Sequence, residues 1–484
     1  MKTPVRYPLF ICVLLASLGL AQSQNFSERL LLDFPVIDAP YLHHAAQMAH
    51  RKHHNLPASE PLQATWADYF RSLESPSMAQ SLAMTKNLHA TNYYFNNVFW
   101  NKKIAPTTRK KKFLNRLAAN GTAAGIDLLL AYKLMVFSPV WNHEEFHRNG
   151  LTMRGISSFD DTYYRLVGGD IPSGSVTRVR DEDLAYFKAT DPVGLVRTFA
   201  AGIESQLMLV RNMQKDNFFS DTDYANIAMN ILITKQAADY VNQFRKQHYD
   251  RSIDTMNYYG KVVDARDFAG WDFTPWVYDM FRPNEPYEAR GTHPNGIGID
   301  RAIKRSKLTA EEDAYLTRMG QLQYLNFLSP FMVGIHAIRL NDNGRFNFAM
   351  RHYLTSFGYN LNADFFINHR GKNMLIGLHT FHNKNRTYPG LEVEQQFLKL
   401  NLLNKVIPLH SRAMVWVQPD NESFYATNGK AGGLVQFRVY YPVSKQFSAY
   451  AEAEAKSSGW VAGNPFLKPN MSMRAGLFFD ITRN

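Results

Sequence analysis

The spacing of the apolar residues changes once along this chain, near residue 340. Before that point apolar residues recur every three or four positions, which predicts helices, and from residue 345 they alternate with polar ones, which predicts strands. Eight alternating segments follow one another, separated by turn-forming residues. They are Arg345–Phe357, Tyr359–His369, Asn373–Asn383, Tyr388–Asn401, Ile407–Gln418, Gly432–Val443, Gln446–Ser457 and Met471–Thr482. The sequence therefore predicts an α+β multidomain protein, with a mainly helical domain over 24–340 and an eight-stranded antiparallel β-barrel over 341–484.

The polar face of these segments carries charges. Closing the strands would gather six charged side chains in one interior: Glu392, Glu394, Glu452, Glu454, Arg438 and Arg474. A charged interior within an apolar exterior suits a barrel surrounded by lipid. The alternative is a soluble lipocalin-like barrel or sandwich, but a soluble barrel normally fills its interior with apolar side chains. The region resembles the eight-stranded barrels of Gram-negative outer-membrane proteins, as in the membrane domain of the OmpA family. That resemblance implies a lipid bilayer around the barrel.

The beginning of the chain predicts export. Lys2 and Arg6 precede an apolar run that ends at Leu20, and small residues follow, so residues 1–23 are typical of a secretory signal peptide. The single cysteine, Cys12, lies within this segment, which excludes disulfide and thiolate chemistry in the mature chain. We expect the outer membrane of a Gram-negative bacterium, with the periplasm or secretion as alternatives.

The formal net charge of the chain is +12. Nucleic acid is a poor partner for an exported protein, so the basic residues need another explanation. The basic run Lys102-Lys103 and Arg109-Lys110-Lys111-Lys112 flanks Pro106 and predicts a solvated loop. Such a loop could contact anionic lipid headgroups or lipopolysaccharide.

The stretch from His143 to His147 is an H-E-x-x-H motif. On a helix these two histidines share one face and can bind one Zn²⁺, while Glu144 lies where a general base is needed. Ser138-Pro139 predicts the start of this helix and Asn149-Gly150 its end. The alternative is a helix with two surface histidines and a chance glutamate. We also expect the apolar segment 123–137 to be a buried core helix behind the metal helix.

A catalytic zinc site usually has three protein ligands, so one ligand must come from elsewhere. Glu204 is the first candidate, because it is the acidic residue of a strongly apolar helical segment and a buried carboxylate needs a partner. Gly202 would allow the two helices to approach closely. Asp160 and Asp161 are the alternatives, followed by Asp170. A purely structural explanation of Glu204 is an ion pair with a basic residue such as Arg211.

The motif resembles that of the gluzincin metallopeptidases, in which an H-E-x-x-H helix is followed by a helix that donates a glutamate. The resemblance covers His143, Glu144 and His147, with Glu204 matching loosely. It implies that Zn²⁺ is the cofactor and that Glu144 moves the proton during peptide hydrolysis. An oxyanion stabiliser is also needed, and the candidates are His293 and Tyr163 or Tyr164.

A second group of histidines, His43, His44, His50, His53 and His54, lies near the start of the mature chain. We interpret it as a basic exposed segment, with metal uptake or regulation as the alternative.

The sequence as a whole predicts a zinc-dependent hydrolase, and the resemblance favours a peptidase, anchored in the outer membrane and acting on an envelope protein or peptide. One alternative is a non-enzymatic outer-membrane assembly or scaffold component with structural zinc or none. Another is a metal-dependent hydrolase of a lipid or of another amide, because the motif specifies activated water but not the bond that is attacked.

Overall fold

The computed structural model of the chain describes residues 28–167, 174–220, 222, 227–402 and 405–482. The predicted signal peptide, Cys12 and Asp170 lie outside the described residues.

Eleven α-helices are described, all of them between residues 41 and 322. They are α1 (Tyr41–His54), α2 (Trp66–Arg71), α3 (Met78–Lys103), α4 (Arg109–Lys133), α5 (Pro139–Thr152), α6 (Asp181–Thr190), α7 (Pro192–Phe219), α8 (Ile227–Val241), α9 (Tyr249–Tyr259), α10 (Phe273–Phe281) and α11 (Ala310–Leu322). Short 3-10 helices cover Ser72–Glu74, Asp161–Val167, Gln243–Arg245, Val263–Ala265, Tyr287–Arg290, Arg305–Lys307, Gln323–Phe327, Pro330–Val333 and Asp420–Glu422. The helical region before residue 340 is therefore present, as the three- and four-residue spacing predicts.

Ten strands form one antiparallel sheet. They are β1 (Arg29–Ala39), β4 (Ile338–Asn341), β5 (Gly344–Thr355), β6 (Gly358–His369), β7 (Lys372–His382), β8 (Thr387–Leu402), β9 (Lys405–Pro419), β10 (Gly429–Pro442), β11 (Phe447–Lys456) and β12 (Asn470–Thr482). The order is β1-β12-β11-β10-β9-β8-β7-β6-β5-β4. A separate two-stranded sheet pairs β2 (Phe159–Asp160) with β3 (Val176–Thr177).

The prediction of a closed eight-stranded barrel is wrong. Each of the eight predicted segments overlaps one strand from β5 to β12, but β1 and the short β4 extend the sheet at its two edges. Among the described residues β1 and β4 do not pair with each other, so the sheet is open. The sequence did not predict β1, because Pro35 and Asp33 interrupt its apolar pattern and its partner strand β12 lies more than 400 residues away.

The two faces of the sheet differ as the alternation predicts. Glu392, Glu394, Glu452 and Glu454 are buried on the inner face, and Glu452 accepts hydrogen bonds from Arg438 and Arg474. The outer face presents large apolar side chains that stay exposed, among them Val393, Val415, Val435, Phe437, Val439, Tyr441 and Leu477. In a water-soluble protein, an antiparallel sheet usually packs its apolar face on the core and exposes its polar face to water. Here the charged side chains lie on the inner face and the apolar side chains lie on the outer face.

Helix α7 connects the helical region to the inner face of the sheet. Arg211 on α7 forms ion pairs with Asp364 on β6, at 2.9 Å, and with Glu392 on β8, at 3.0 Å. Within the described residues this helix alone is long and apolar enough to cross a membrane, yet 89% of its most apolar window is buried inside the protein. Helix α7 is therefore a core helix that packs between neighbouring helices and the inner face of the sheet.

Candidate metal centre

Helix α5 carries both motif histidines on one face, and its first turn is capped as predicted. The Ser138 hydroxyl accepts hydrogen bonds from the backbone N–H groups of Val140 and Trp141, at 3.2 and 3.4 Å, and Pro139 follows at the first helical position. The predicted end at Asn149-Gly150 is wrong, because α5 continues to Thr152. Gly150 lies in the helix where a Cβ atom would collide with Thr198, so this glycine serves the contact between α5 and α7.

The third residue beside the histidines is Asp272, at the start of α10. Its Oδ2 atom lies 3.2 Å from Nε2 of His143 and 3.2 Å from Nε2 of His147. One ligand atom from each of the three residues falls within 4.8 Å of the others, and all three side chains are buried. Ligand atoms around a tetrahedral zinc lie about 3.3 Å apart, given bonds of about 2.0 Å. The two His–Asp separations therefore match those of a zinc site.

The hydrogen bond of His147 to the backbone fixes which of its nitrogens faces Asp272. Its Nδ1–H donates to the carbonyl oxygen of Thr198 at 2.7 Å, so a neutral ring presents the Nε2 lone pair to the carboxylate. Two electron-rich atoms then face each other at 3.2 Å in a buried site. A cation between them, either a proton or a metal ion, removes this repulsion. Hydrogen bonds of this type also orient metal-binding histidines in general.

The pKa values of the three residues reflect two opposing effects, burial of the charged groups and attraction between the carboxylate and the imidazoles. Burial lowers the pKa of His143, although Asp272 opposes the shift. Burial also acts to lower the pKa of His147, but Asp272 and the Thr198 carbonyl outweigh it and raise the pKa. Burial acts to raise the pKa of Asp272, and the two histidines reverse this and hold it far below its usual range. The carboxylate is thus kept ionised where a cation would bind.

Glu144 lies beside the cluster in an excess of negative charge. Burial raises its pKa well above the usual range, and the carboxylates of Asp160, Asp267, Asp272 and Asp161 add to the shift. Burial and Asp272 likewise raise the pKa of Asp267 to about 6. His143 and Glu144 are 7% and 8% exposed, whereas His147 is 1% exposed. All three side chains are therefore buried, and His143 and Glu144 keep slightly more exposure than His147.

Close packing of α7 and of aromatic side chains fixes the histidine rings. Gly202 on α7 lies so near His143 that a Cβ atom would come within 3.0 Å of three ring atoms. The ring of Tyr240 contacts His143 edge-on, at 5.3 Å between centroids, and Phe268 contacts His147 at 5.2 Å. Burial raises the pKa of Tyr240 well above its usual range, and Asp272, Glu144 and Asp267 raise it further, so its phenol stays protonated.

The prediction that Glu204 completes the site is corrected by the structure. Glu204 is buried, but its carboxylate accepts a hydrogen bond from Arg197 at 2.6 Å and one from the backbone N–H of Gly463 at 2.8 Å. The cost of burying this acid is therefore offset by an ion pair on its own helix, although with Arg197 and not with Arg211. Gly202, predicted to allow a close approach, does so for the ring of His143.

The alternative ligands lie near Glu144 but outside the triad. Asp160 accepts a hydrogen bond from the backbone N–H of Thr162 at 2.8 Å, and Asp161 accepts one from the hydroxyl of Ser175 at 2.8 Å. Burial raises the pKa of both, and Glu145 adds to the shift of Asp160.

Two of the three predicted oxyanion stabilisers form hydrogen bonds elsewhere. The hydroxyl of Tyr164 accepts one from Arg178 at 2.5 Å, whereas burial raises the pKa of Tyr163. His293 is buried in a turn, with its Nδ1 2.8 Å from the side-chain oxygen of Asn295. The ring of Tyr240, which no sequence pattern singles out, contacts the motif histidine His143.

The N-terminal histidines form part of α1, and within the described part of the chain they belong to no group of three potential metal ligands. His50 lies 2.7 Å from a carboxylate oxygen of Asp68, and His43 lies 2.7 Å from the hydroxyl of Tyr69. Among the described residues, the group of His143, His147 and Asp272 is the one that brings three potential metal ligands together.

Comparisons with known proteins give no relative for this chain: no family model, no curated protein and no solved structure matches. The chemistry of the site can therefore be inferred only from its own residues. Two imidazoles and a carboxylate are donors that zinc accepts, and the buried excess of carboxylates favours a divalent cation. The site is able to bind a metal ion.

Proposed function

We propose that this protein is a zinc-dependent hydrolase of the H-E-x-x-H type, that it cleaves an amide bond in a peptide, and that it acts at the outer membrane of a Gram-negative bacterium. The observation that carries the proposal is the convergence of His143, His147 and Asp272, with Glu144 one residue along the same helix. Zn²⁺ held by these three residues would act as a Lewis acid that activates water and polarises a carbonyl group.

Glu144 has the position and environment of a general base. Its carboxylate belongs to the residue after His143 and is next to the ligand cluster, where it would take a proton from the attacking water. The same group then returns the proton to the leaving amine. The backbone of Gly174 packs closely against Glu144, because a Cβ atom there would lie 2.9 Å from a Glu144 oxygen, and this contact restricts the position of the carboxylate.

We further propose that Tyr240 stabilises negative charge on the attacked carbonyl. Its ring contacts His143, and its phenol remains a hydrogen-bond donor at neutral pH because its pKa is raised. In this proposal the oxyanion stabiliser is Tyr240, and not His293, Tyr163 or Tyr164, which were predicted from the sequence.

The membrane location is proposed from the two faces of the sheet. Val435, Phe437 and Val439 project outward and stay exposed, while Arg438 and Glu452 are paired on the inside. Lipid is the solvent that favours apolar side chains on the outside of a sheet and charges within it.

A non-enzymatic role with structural zinc is the second candidate, and one observation favours it. His147 and Asp272 are almost completely buried, as ligands are in closed structural sites. Wild type and Glu144→Gln, each loaded with zinc, separate the two roles in an assay with casein and a fluorogenic peptide library. Hydrolysis by wild type alone supports the enzyme. Equal absence of hydrolysis in both, at full zinc occupancy, supports the structural role.

A further inference from the structure

Helices fill the gap that the open sheet leaves between its two edge strands. Helix α3 packs along β1, α4 packs on α3, and α8 packs on α4. The 3-10 turn Pro330–Val333, which directly precedes β4, packs on α8. Arg116 on α4 is also close enough to His336 to act on it electrostatically. A wall of helices therefore connects β1 to the other edge of the sheet.

Side chains of α3 satisfy the free edge of β1. The side-chain oxygen of Asn87 accepts a hydrogen bond from the backbone N–H of Asp33 at 3.1 Å, and its NH₂ group donates to the Asp33 carbonyl at 2.7 Å. Gln80 donates to the carbonyls of Pro35 and Val36. These contacts replace hydrogen bonds that a neighbouring strand would make, so α3 takes the position of the next strand.

The outward side of the α3–α4 hairpin is apolar, and its inward side carries buried polar and charged groups beside apolar ones. Phe95 on α3 is 63% exposed, and Leu129 and Tyr132 on α4 are 56% and 68% exposed. On the inward side Lys86 pairs with Asp216 at 2.7 Å, inside the protein. The polarity of the hairpin therefore matches that of the sheet, with charges within and apolar side chains outside. The segment 123–137 is consequently not the buried core helix that the sequence predicts.

The tip of the hairpin carries a cluster of cations. Lys102 and Lys103 end α3, and the residues from Arg109 to Lys111 begin α4, and all five side chains are exposed. The side chain of Asn101, at this tip, lies 3.3 Å from that of Glu28, next to the start of β1. In an antiparallel sheet, the same end holds the turns between β6 and β7 and between β10 and β11, which carry Arg370, Lys372 and Lys445. A basic rim thus surrounds one end of the sheet.

We propose that the α3–α4 hairpin is a lipid-facing part of the wall, with its outward side against acyl chains and its basic tip at anionic headgroups. This inference rests on the proposed membrane location of the sheet. The helices have 26 and 25 residues, or about 39 and 38 Å at 1.5 Å per residue, and the hydrocarbon core is about 30 Å thick. Lysines at the end of such a helix extend to the headgroups.

Quenching of a fluorophore by brominated acyl chains tests this placement in the full chain. Single cysteines replace Leu129 on the hairpin, Val439 on the outer face of the sheet and Val262 in an exposed turn of the helical region, with Cys12→Ser where the leader is retained. Each variant is labelled with bimane in phosphatidylcholine–phosphatidylglycerol vesicles. We expect Leu129→Cys and Val439→Cys to be quenched at least threefold more than Val262→Cys.

Each other outcome has a definite meaning. Quenching at position 439 without quenching at 129 overturns the hairpin inference and leaves the membrane location intact. Quenching at neither position overturns both. Disulfide cross-linking of Leu129→Cys between two chains, together with weak quenching, shows that a second copy covers this face and also overturns the inference.

The headgroup contact is tested by binding to vesicles of two compositions. The variant with Lys102, Lys103, Lys110 and Lys111 each changed to Gln should bind phosphatidylglycerol vesicles at least tenfold more weakly than wild type, and phosphatidylcholine vesicles equally well. An unchanged preference for phosphatidylglycerol overturns the assignment of the tip to anionic headgroups.

Discussion

Gly202 on α7 lies directly against the imidazole of His143 on α5, with no room for a Cβ atom between them. Two helices meet here at the point where the metal ligands are presented, so the residue at position 202 controls the position of the ring. The geometry of the metal centre therefore depends on a residue with no ligand atom of its own.

Gly202→Ala should weaken metal binding. Its Cβ would come within 3.0 Å of three atoms of His143 and displace the ring from Asp272. We expect zinc affinity to fall about 10–100-fold, as for other residues that support metal ligands. Competition with a chromogenic chelator measures the change. Gly125→Ala is the matched control, since nothing lies within 4 Å of a Cβ there, and equal affinities of the two variants would contradict the expectation.

Glu144→Gln should retain zinc and lose hydrolysis. The amide preserves the shape of the side chain but cannot accept the proton from water, and a general base typically contributes about 10²- to 10⁴-fold in rate. Zinc content and peptide cleavage are measured on the same preparation. Glu182→Gln, an exposed acid on α6, should cleave at the wild-type rate. Wild-type cleavage by Glu144→Gln would exclude Glu144 as the base.

Arg211→Met should destabilise the contact between α7 and the sheet. It leaves the buried carboxylates of Asp364 and Glu392 without this partner, and breaking a buried ion pair costs about 3–5 kcal/mol. Urea unfolding in detergent micelles measures the loss. Lys235→Met is the comparison, because its pair with Asp239 is exposed and should contribute less than about 1 kcal/mol. Equal losses of unfolding free energy in Arg211→Met and Lys235→Met would show that these ion pairs do not hold α7 against the sheet.

Asn87→Ala should leave the edge of β1 unsatisfied. The substitution removes both hydrogen bonds to the backbone of Asp33, and an unpaired buried polar group costs about 1–3 kcal/mol. Hydrogen exchange at the Asp33 amide should accelerate relative to wild type. Asn96→Ala is the control on the same helix, because the Asn96 side chain bonds only to Asn92. Unchanged exchange at Asp33 would show that α3 does not protect this edge.

The elements that the sequence predicts well are those with a local signal. The alternation around Phe437, Arg438 and Val439 indicates both a strand and its two faces, and Ser138-Pro139 indicates where the metal helix begins. Neither signal depends on the rest of the fold. The strands and the helix start are accordingly present, with small differences at their ends.

The third residue of the candidate metal centre had no such signal. Glu204 and Asp272 are both acids next to apolar residues, and only the fold shows that one meets Arg197 while the other meets two histidines. An acid directly before the apolar helix Phe273–Phe281 normally caps it, and Asp272 makes no such hydrogen bond. Whether the side chain of such a residue caps its helix or points away from it can be seen only in the three-dimensional structure.

Whether His143, His147 and Asp272 bind zinc is measured by metal analysis of four purified proteins: wild type, Asp272→Ala, His143→Ala/His147→Ala and Glu204→Gln. We expect about one zinc per chain in wild type and in Glu204→Gln, and none in the other two, with circular dichroism confirming that all four are folded. Zinc retained by folded Asp272→Ala and by the double-histidine variant, or lost from Glu204→Gln alone, would contradict this expectation.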